Sequence, residues 1–248
     1  LQAGEYAFDS GMTMYEVMEK LRSGDTVVRR LTIPEGLSTS EILALVRAEP
    51  ALSGEIEEEP EEGLLLPETY HFHLGDDRQG LVNRMKESMQ EAITNLWPER
   101  QEGLPITSPY EAKILASIVE KETAVASERP HVAGVFINRL NLGMPLQSDP
   151  TVVYGITGGG PLGRPLRRSE LDAETPYNTY QFRGLPPTPI ANPGLASLKA
   201  VLDPLETKDL YFVADGTGGH AFAETYREHQ RNVRKWRQLE REREAQGE

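Results

Sequence analysis

The sequence has no cysteine among its 248 residues. This absence excludes disulfide bonds, zinc–thiolate sites, iron–sulfur clusters and a cysteine nucleophile. Long apolar runs are also missing: the stretch Ile114 to Val119 is short and contains Ser117, whereas a membrane span needs roughly 18 or more apolar residues. No signal peptide is visible, and the chain begins at Leu1 rather than at a methionine. We expect any N-terminal anchor or signal to lie outside the given sequence.

Basic charge and cofactor motifs are scarce as well. The formal net charge of −13 argues against a nucleic-acid partner, because such binding needs a basic surface. The five histidines are scattered, and His71 and His73 have no carboxylate neighbour that completes a ligand set, so we expect no metal site. The glycine-rich segment 157–163 lacks the Lys-Ser/Thr of a phosphate-binding loop, and no nucleophile elbow occurs. We therefore expect no cofactor.

The N-terminal region is predicted to contain two similar strand–turn–helix units. Each helix follows a Ser or Thr that can cap it, Thr13 in the first unit and Ser38 or Thr39 in the second. The predicted elements are a strand over Ala3–Phe8, a helix over Met14–Arg22, a strand over Val28–Ile33 and a helix over Ser40–Arg47.

A third helix is predicted over Gln79–Trp97, because its apolar residues recur at a spacing of four. These residues are Leu81, Met85, Met89 and Ile93. Pro98 and the Gly- and Pro-containing segments that follow indicate a junction near residues 98–108. We accordingly predict an N-terminal domain over residues 1–98 and a second domain over 99–248.

The second domain mixes predicted helices with a strand, so the fold class is α+β. Residues 143–195 are rich in Gly and Pro, with only short strand-like pieces, and such a long irregular stretch is usually functional in a compact domain. The predicted elements are helices over Pro109–Ala126, Glu128–Leu142 and about Ala223–Arg243, and a strand over Asp209–Asp215.

Glu122 is the most unusual residue of the helix predicted from Pro109. Leu115, Ile118, Val119 and Glu122 follow the spacing i, i+3, i+4, i+7, which places a carboxyl group on the core-facing stripe, whereas Glu120 lies off it. A carboxyl group there must be paired, be protonated or line a cleft. Desolvation would raise its pKa toward about 6, as a general acid for glycoside cleavage requires. The alternative is a buried ion pair with Arg139 or Arg183.

Further polar residues are candidates for binding a sugar or a peptide. Asn138 and Arg139 could hydrogen-bond a sugar or a peptide carboxylate, and Asp149 could either face a cleft or cap the segment after it. An aromatic, amide-bearing loop suits sugars, whose apolar faces stack on rings while their polar groups take hydrogen bonds. The predicted substrate-binding residues are Asn138, Arg139, Gln147, Ser148, Asp149, Tyr177, Asn178 and Tyr180.

Four long motifs resemble the YceG-like family of endolytic murein transglycosylases. They are "LASIVEKETAVASER", "VFINRLNLGMPLQSDPTVVYG", "TPYNTYQFRGLPPTPIANPG" and "YFVADGTGGHAF", and they occur in the family's order. The resemblance is dense from Ser108 to Val233. It is looser in the N-terminal region, where "IPEGLSTSEI" and "EGLLLPETYHF" also match.

The resemblance implies a LysM-like N-terminal region that binds glycan, a catalytic C-terminal domain, and the second glutamate of "EKET", Glu122, as catalytic residue. It implies non-hydrolytic cleavage of nascent peptidoglycan strands into 1,6-anhydromuramic ends, with cell-wall synthases as candidate partners. Family members are held in the inner membrane by one N-terminal helix, with the enzyme outside the cytoplasm. This sequence has no such helix, so we expect the membrane anchor to lie outside it.

Two other interpretations of the sequence stay open. The chain could be a peptidoglycan hydrolase with Asp149 as second carboxylate, which would yield reducing ends. It could also be a glycan-binding module without catalysis, in which Glu122 has only a structural role. Replacing Glu122 by Gln separates the enzymes from the binding module, because only the enzymes would lose activity. The ends of the products, anhydro or reducing, separate the two enzymes.

Overall fold

The computed structural model describes residues 3–246, so residues 1–2 and 247–248, at the outer ends of the two predicted domains, lie outside the described part. The fold is α+β, with helices and two small antiparallel sheets. None of the helices described is both long enough and apolar enough to span a bilayer. In chain order, the elements are α1 Met14–Ser23, β1 Arg29–Thr32, α2 Thr39–Ala48, β2 Thr69–Phe72, α3 Arg78–Leu96, α4 Pro109–Glu122, α5 Arg129–Asn141, α6 Asp149–Thr157, α7 Arg168–Leu171, α8 Leu195–Leu202, β3 Tyr211–Ala214, β4 His220–Ala223 and α9 Tyr226–Gln246.

The predicted caps of the first two helices are present. Thr13 and Ser38 each form a capping box with the glutamate three residues later, so the first turn of each helix is hydrogen-bonded. The predicted strand over residues 3–8 is wrong, because these residues form no ladder. They are held instead by the backbone bond from Val27 to Glu5 and by the ion pair of Glu5 with Arg29, and β1 pairs with β2.

Helix α3 joins two hydrophobic cores. Leu81 and Met85 pack in an N-terminal core with α2, β1 and β2, while Met89 and Ile93 pack in a larger core with α4, α5 and α8. All four are buried, which confirms the predicted spacing of four. Because one helix enters both cores, the junction at residues 98–108 stays a prediction.

Helix α4 crosses the larger core and is buried on all sides from Ala112 to Val119. Ser108 caps it and Pro109 occupies its first turn. The helix ends at Glu122, not at Ala126. The cause is Thr123, whose backbone is extended and whose hydroxyl accepts from the amide of Val125, a local bond that competes with helix continuation.

The Gly- and Pro-rich segment contains the helix α6, which the sequence analysis missed. Pro150 lies in the first turn of this helix, where proline is favourable because no amide donor is needed. Strand β4 was missed as well. It pairs with β3 across the glycine turn, and α9 begins only after it, at Tyr226.

Asn192 ties the two cores together through a fully buried amide. Its Oδ1 accepts from the backbone of Leu65 at 2.9 Å. Its Nδ2 lies 3.1 Å from the Thr39 hydroxyl, 3.2 Å from the Leu37 carbonyl and 2.9 Å from Glu62 Oε1. Burial raises the pKa of Glu62. The N-terminal region is therefore fixed on the larger core by polar bonds as well as by apolar packing.

Candidate active site

A cavity of about 420 Å³ opens at the C-terminal end of α4. Its walls come from α4, the α5–α6 connection, the segment before α8, β3 and α9. Five predicted site residues line it: Glu122, Arg139, Gln147, Asp149 and Tyr180. Ser148 belongs to the same place, because its hydroxyl is bonded to Glu122. The structure thus brings together six of the nine residues that the sequence analysis proposed.

Glu122 is half-buried and is the last residue of α4. The buried Ser148 donates its hydroxyl to Glu122 Oε1 at 2.5 Å. The pKa of Glu122 is raised to about 7, mainly by burial and also by the nearby charge of Asp149, while the Ser148 bond, His220 and Arg139 oppose this rise. The negative end of the helix dipole also disfavours a carboxylate there. Near neutral pH, Glu122 can therefore both give and take a proton.

Asp149 has the opposite electrostatic environment. It lies in the first turn of α6, after the N-cap residue Ser148, where the positive end of the helix dipole favours a carboxylate. Tyr180 donates its hydroxyl to Asp149 Oδ1 at 2.6 Å. Burial and this bond raise the pKa of Tyr180, so its hydroxyl stays protonated. The cavity therefore holds two carboxyl groups in different surroundings: Glu122 at the C-terminal end of α4, with a raised pKa, and Asp149 at the start of α6, bonded to Tyr180.

Arg139 is 7% exposed and holds two walls of the cavity together. Its Nε donates to the carbonyl of Leu210 at 2.6 Å, and its Nη1 donates to the carbonyl of Leu146 at 2.9 Å. Its guanidinium also lies over the ring of Tyr211, 5.2 Å from the centroid. In the part of the chain that is described, Glu122 forms no ion pair with Arg139 or Arg183, so the alternative of a paired structural glutamate has no support from the geometry.

Gln147 has a φ of 53°, in the left-handed region that non-glycine residues rarely adopt. Such a backbone costs about 1–3 kcal/mol and persists only where neighbouring bonds enforce it. The amide of Gln147 donates to the carbonyl of Thr179 at 3.0 Å, and the amide of Ser148 donates to the hydroxyl of the same Thr179. This geometry presents Ser148 to Glu122.

Asn138 and Tyr177 do not line the cavity. The side-chain amide of Asn138 donates to the carbonyls of Thr207 and Asp209, at 2.8 and 3.0 Å, and so fixes the segment that leads into β3. The hydroxyl of Tyr177 lies 2.9 Å from that of Thr188. Both side chains are engaged in bonds within the protein.

Asn178 is fully buried and organises the loop that carries Tyr180. Its Oδ1 accepts from the amide of Tyr180 at 3.0 Å. Its Nδ2 donates to the carbonyls of Glu170, Leu171 and Ala173. The geometry therefore gives Asn178 the position of a support for Tyr180, behind the surface that a ligand would meet.

Four residues of the cavity wall were not singled out in the sequence: Phe212, Val213, His229 and Leu146. The first two come from β3, within the motif "YFVADGTGGHAF", which was the one signal available. The hairpin that carries them is fastened by His220, whose Nδ1 lies 2.7 Å from Glu128 Oε2. Burial and the charge of Arg139 lower the pKa of His229. The wall opposite Glu122 is thus aromatic and apolar.

Glu120 differs from what the helical wheel predicted. Its side chain is only 4% exposed and lies 3.0 Å from Nη2 of Arg129. Its second oxygen accepts from the amide of Gly194 at 3.0 Å. The prediction that Glu120 points away from the core is therefore wrong, because the segments that carry Arg129 and Gly194 cover this side of α4. Glu120 is the paired, structural glutamate of this helix.

No group of three or more His, Asp or Glu side chains within residues 3–246 could hold a metal ion. The side chains of the cavity offer proton transfer at Glu122, hydrogen bonding by Ser148 and Tyr180, and the charges of Asp149 and Arg139.

Comparison with protein families shows a match to the model of the YceG-like family over residues 1–235. An endolytic murein transglycosylase of Bacillus subtilis is 31% identical over 267 residues, covering 95% of this chain and 73% of its own length. One of Streptococcus pneumoniae is 29% identical over 282 residues and covers 94% of this chain. The chain spans about 50% of the length of that Streptococcus protein.

Among solved structures, a YceG-like protein of Listeria monocytogenes aligns with a TM-score of 0.64 and 28% sequence identity. The alignment covers 89% of this chain and 81% of the Listeria chain. The fold described above is therefore shared over most of both proteins.

Proposed function

Because this chain belongs to the YceG-like family, we propose that it is an endolytic lytic transglycosylase of peptidoglycan. It cleaves the bond between N-acetylmuramic acid and N-acetylglucosamine inside a glycan strand, and Glu122 is its general acid and base. One observation carries the proposal: a single half-buried carboxyl group, with a pKa of about 7, lines the cavity and is oriented by the Ser148 hydroxyl.

In the first step, protonated Glu122 donates its proton to the glycosidic oxygen. The bond from C1 of the muramic acid to that oxygen breaks, and the N-acetylglucosamine leaves as an alcohol. Positive charge develops at C1, where the acetamide of the substrate or nearby dipoles stabilise it; the carboxylate of Asp149 lines the same cavity.

In the second step, the Glu122 carboxylate accepts the proton of the muramyl C6 hydroxyl, whose oxygen bonds to C1. The product has a 1,6-anhydro end, and Glu122 is again protonated. One carboxyl group acts twice, so no second catalytic carboxylate is required, and no water is consumed. A pKa of about 7 suits both halves of this cycle at neutral pH.

The remaining polar residues of the cavity are assigned to binding. Arg139, Gln147 and Tyr180 line it beside Glu122 and can hydrogen-bond sugar hydroxyls, acetamides or a stem-peptide carboxylate. Asn138, Tyr177 and Asn178, whose bonds are internal, keep these walls in place.

Location and partners belong to the same proposal. Relatives are named as acting on murein, and murein strands are made outside the cytoplasmic membrane. The enzyme would work there on nascent strands, held at the inner membrane by a segment outside this sequence, beside the synthases that make those strands.

Mass spectrometry of soluble products from uncrosslinked glycan strands tests the chemistry. The wild-type chain should release internal fragments with anhydro ends, and Glu122→Gln should release none while staying folded. Near-normal anhydro release by the folded variant would overturn the assignment of Glu122.

A hydrolase is the second candidate, because Asp149 lines the same cavity as Glu122. It predicts reducing-ended products and a severe loss of activity in Asp149→Asn. Anhydro ends from wild type would exclude it, since water would then not be the acceptor.

A further inference from the structure

A second cavity, of about 390 Å³, lies beside the catalytic one. Asp149 lines both cavities. Lys121 lines the second cavity and its chain neighbour Glu122 lines the first, so the last turn of α4 and the first turn of α6 form the partition between them. A linear ligand that crosses this partition would pass Glu122 and occupy both spaces.

The walls of the second cavity combine flat apolar surface with a few polar groups. Pro150, Val153 and Tyr154 of α6 and Ile190 supply the apolar part. Lys121 and Glu41 supply charges at its edge. This combination is typical of saccharide sites, in which the C–H face of a pyranose packs on apolar side chains while hydroxyls and acetamides find polar partners.

The cavity is built jointly by the two parts of the fold. Glu41 belongs to α2, in the N-terminal region, and caps its own helix at Ser38. Across the cavity, Gly159 approaches Ser38 so closely that an added Cβ would lie 2.5 Å from the Ser38 Cβ. The loop after α6 and the start of α2 therefore close this space together, and the N-terminal region contributes directly to it.

We infer that the second cavity is a saccharide subsite, which holds sugars of the glycan strand on one side of the bond cleaved at Glu122. The inference rests on the proposed function and extends it. A cut inside a strand requires that sugars be bound on both sides of the reacting bond, and this cavity adjoins Glu122 through Asp149. The N-terminal region then acts in substrate binding through Glu41.

Gly160→Trp is the sharpest variant with which to fill this subsite. Gly160 lines the cavity, and an added Cβ would meet no atom within 4 Å, so the indole can enter without displacing the backbone. Ile156→Trp is the matched control, since Ile156 lies on α6 four residues before Gly160, is 46% exposed and does not line the cavity. Val153→Trp, on a different wall, is the second filling variant. Thermal melting establishes that each variant is folded.

Binding is measured in the Glu122→Gln background, with peptidoglycan oligosaccharides of increasing length, so that no strand is consumed. In Ile156→Trp, affinity should rise by about tenfold or more once the oligosaccharide is long enough to span both cavities, a gain of about 1.4 kcal/mol. In Gly160→Trp and Val153→Trp this rise should be lost, while short oligosaccharides bind as in the control.

An equal length dependence in all three folded variants would overturn the subsite. This readout does not depend on the chemistry at Glu122. Absence of anhydro products from the wild-type chain would remove the proposed transglycosylase activity and still leave the length dependence of binding to decide on the subsite.

Discussion

The surroundings of Glu120 and Glu122 differ sharply, although the two residues share the last turn of α4. Glu120 is almost fully buried, and both of its oxygens are satisfied by the Arg129 guanidinium and the Gly194 amide. Glu122 is half-buried, accepts one bond from Ser148 and has no ion pair among the described residues. Burial alone therefore does not separate a structural carboxyl group from a reactive one.

The difference lies in how each buried charge is compensated. Arg129 pairs with Glu120 and also lies 2.9 Å from Glu35 in the N-terminal region. Arg129 therefore links the last turn of α4 to the N-terminal region. Among the described residues, no ion pair compensates a negative charge on Glu122, and burial raises its pKa instead. A carboxyl group left with a proton to exchange, beside an open cavity, is available for catalysis.

The largest expected effect comes from exchanging the two glutamates for glutamine one at a time. Glu122→Gln should lower kcat for anhydro release by about a thousandfold, because general acid–base catalysis contributes about 10²–10⁴. Glu120→Gln should keep kcat per folded molecule within about twofold of the wild-type value, because the partners of Glu120, Arg129 and Gly194, do not line the catalytic cavity. Equal losses in both variants would break the distinction between them.

The pH dependence of stability should separate the glutamates further. Burial raises the folded-state pKa of Glu122 from 4.5 to about 7. Its stabilising contribution is then fully present below the unfolded pKa and is lost as the pH rises toward about 7. Glu122→Gln has no such loss, and its Gln can still accept the Ser148 bond. Between about pH 4 and pH 8, the free energy of unfolding of Glu122→Gln should therefore rise by up to about 3 kcal/mol relative to that of the wild-type protein.

Urea unfolding at several pH values measures this difference. A stability difference between wild type and Glu122→Gln that stays constant over the range would show that the carboxyl group of Glu122 titrates normally. Glu120→Gln serves as the matched control.

A smaller effect is expected on the free energy of unfolding when Glu120 is replaced by Gln. Glu120→Gln removes the charge that faces the buried Arg129, and an uncompensated buried charge is costly. The amide can still accept from Gly194, and Arg129 retains Glu35, so we expect a loss of about 2 kcal/mol. Calorimetry near neutral pH checks this. A variant as stable as wild type would mean that the Glu120–Arg129 pair contributes nothing net.

Ser148→Ala should have the smallest effect. It removes the hydroxyl that lowers the pKa of Glu122, so that pKa should move upward and the pH–rate profile should shift to higher pH, with kcat reduced about tenfold. Ser117→Ala is the control: Ser117 is also buried, but its bonds go to Ile114 and Ile190. A shift of the profile in both variants would point to general loosening rather than to the Ser148 bond.

Local sequence signals were sufficient for most helices and for Glu122. Thr13 was predicted as a cap, and Ser38 as one of two candidates with Thr39, because N-cap chemistry depends on residues within one turn. The periodicity of α4 indicated Glu122 because the preceding apolar residues fix one face of the helix. These predictions depend only on short-range geometry.

The rest depends on contacts between distant parts of the chain. The wheel placed Glu120 outside the core because it assumes that a helix has one buried face, whereas α4 is buried on all sides from Ala112 to Val119 and Glu120 is covered by Arg129 and Gly194. Arg129 as its partner, and Phe212 and His229 as walls of the cavity, are set by packing and not by local pattern. Asn178 was predicted to bind substrate, yet its amide is used inside its own loop, which composition alone does not reveal.

The buried amide of Asn192 has a consequence for how the molecule opens. Separating the two cores would leave the Leu65 amide and the side chains of Thr39 and Glu62 without their partner at Asn192, each at a cost of about 1–3 kcal/mol. Opening between the cores is therefore rare compared with fraying at the surface. The backbone proton of Leu65, which bonds across this junction, should be among the slowest to exchange with deuterium, and its exchange rate reports how often the N-terminal region lifts from the larger core.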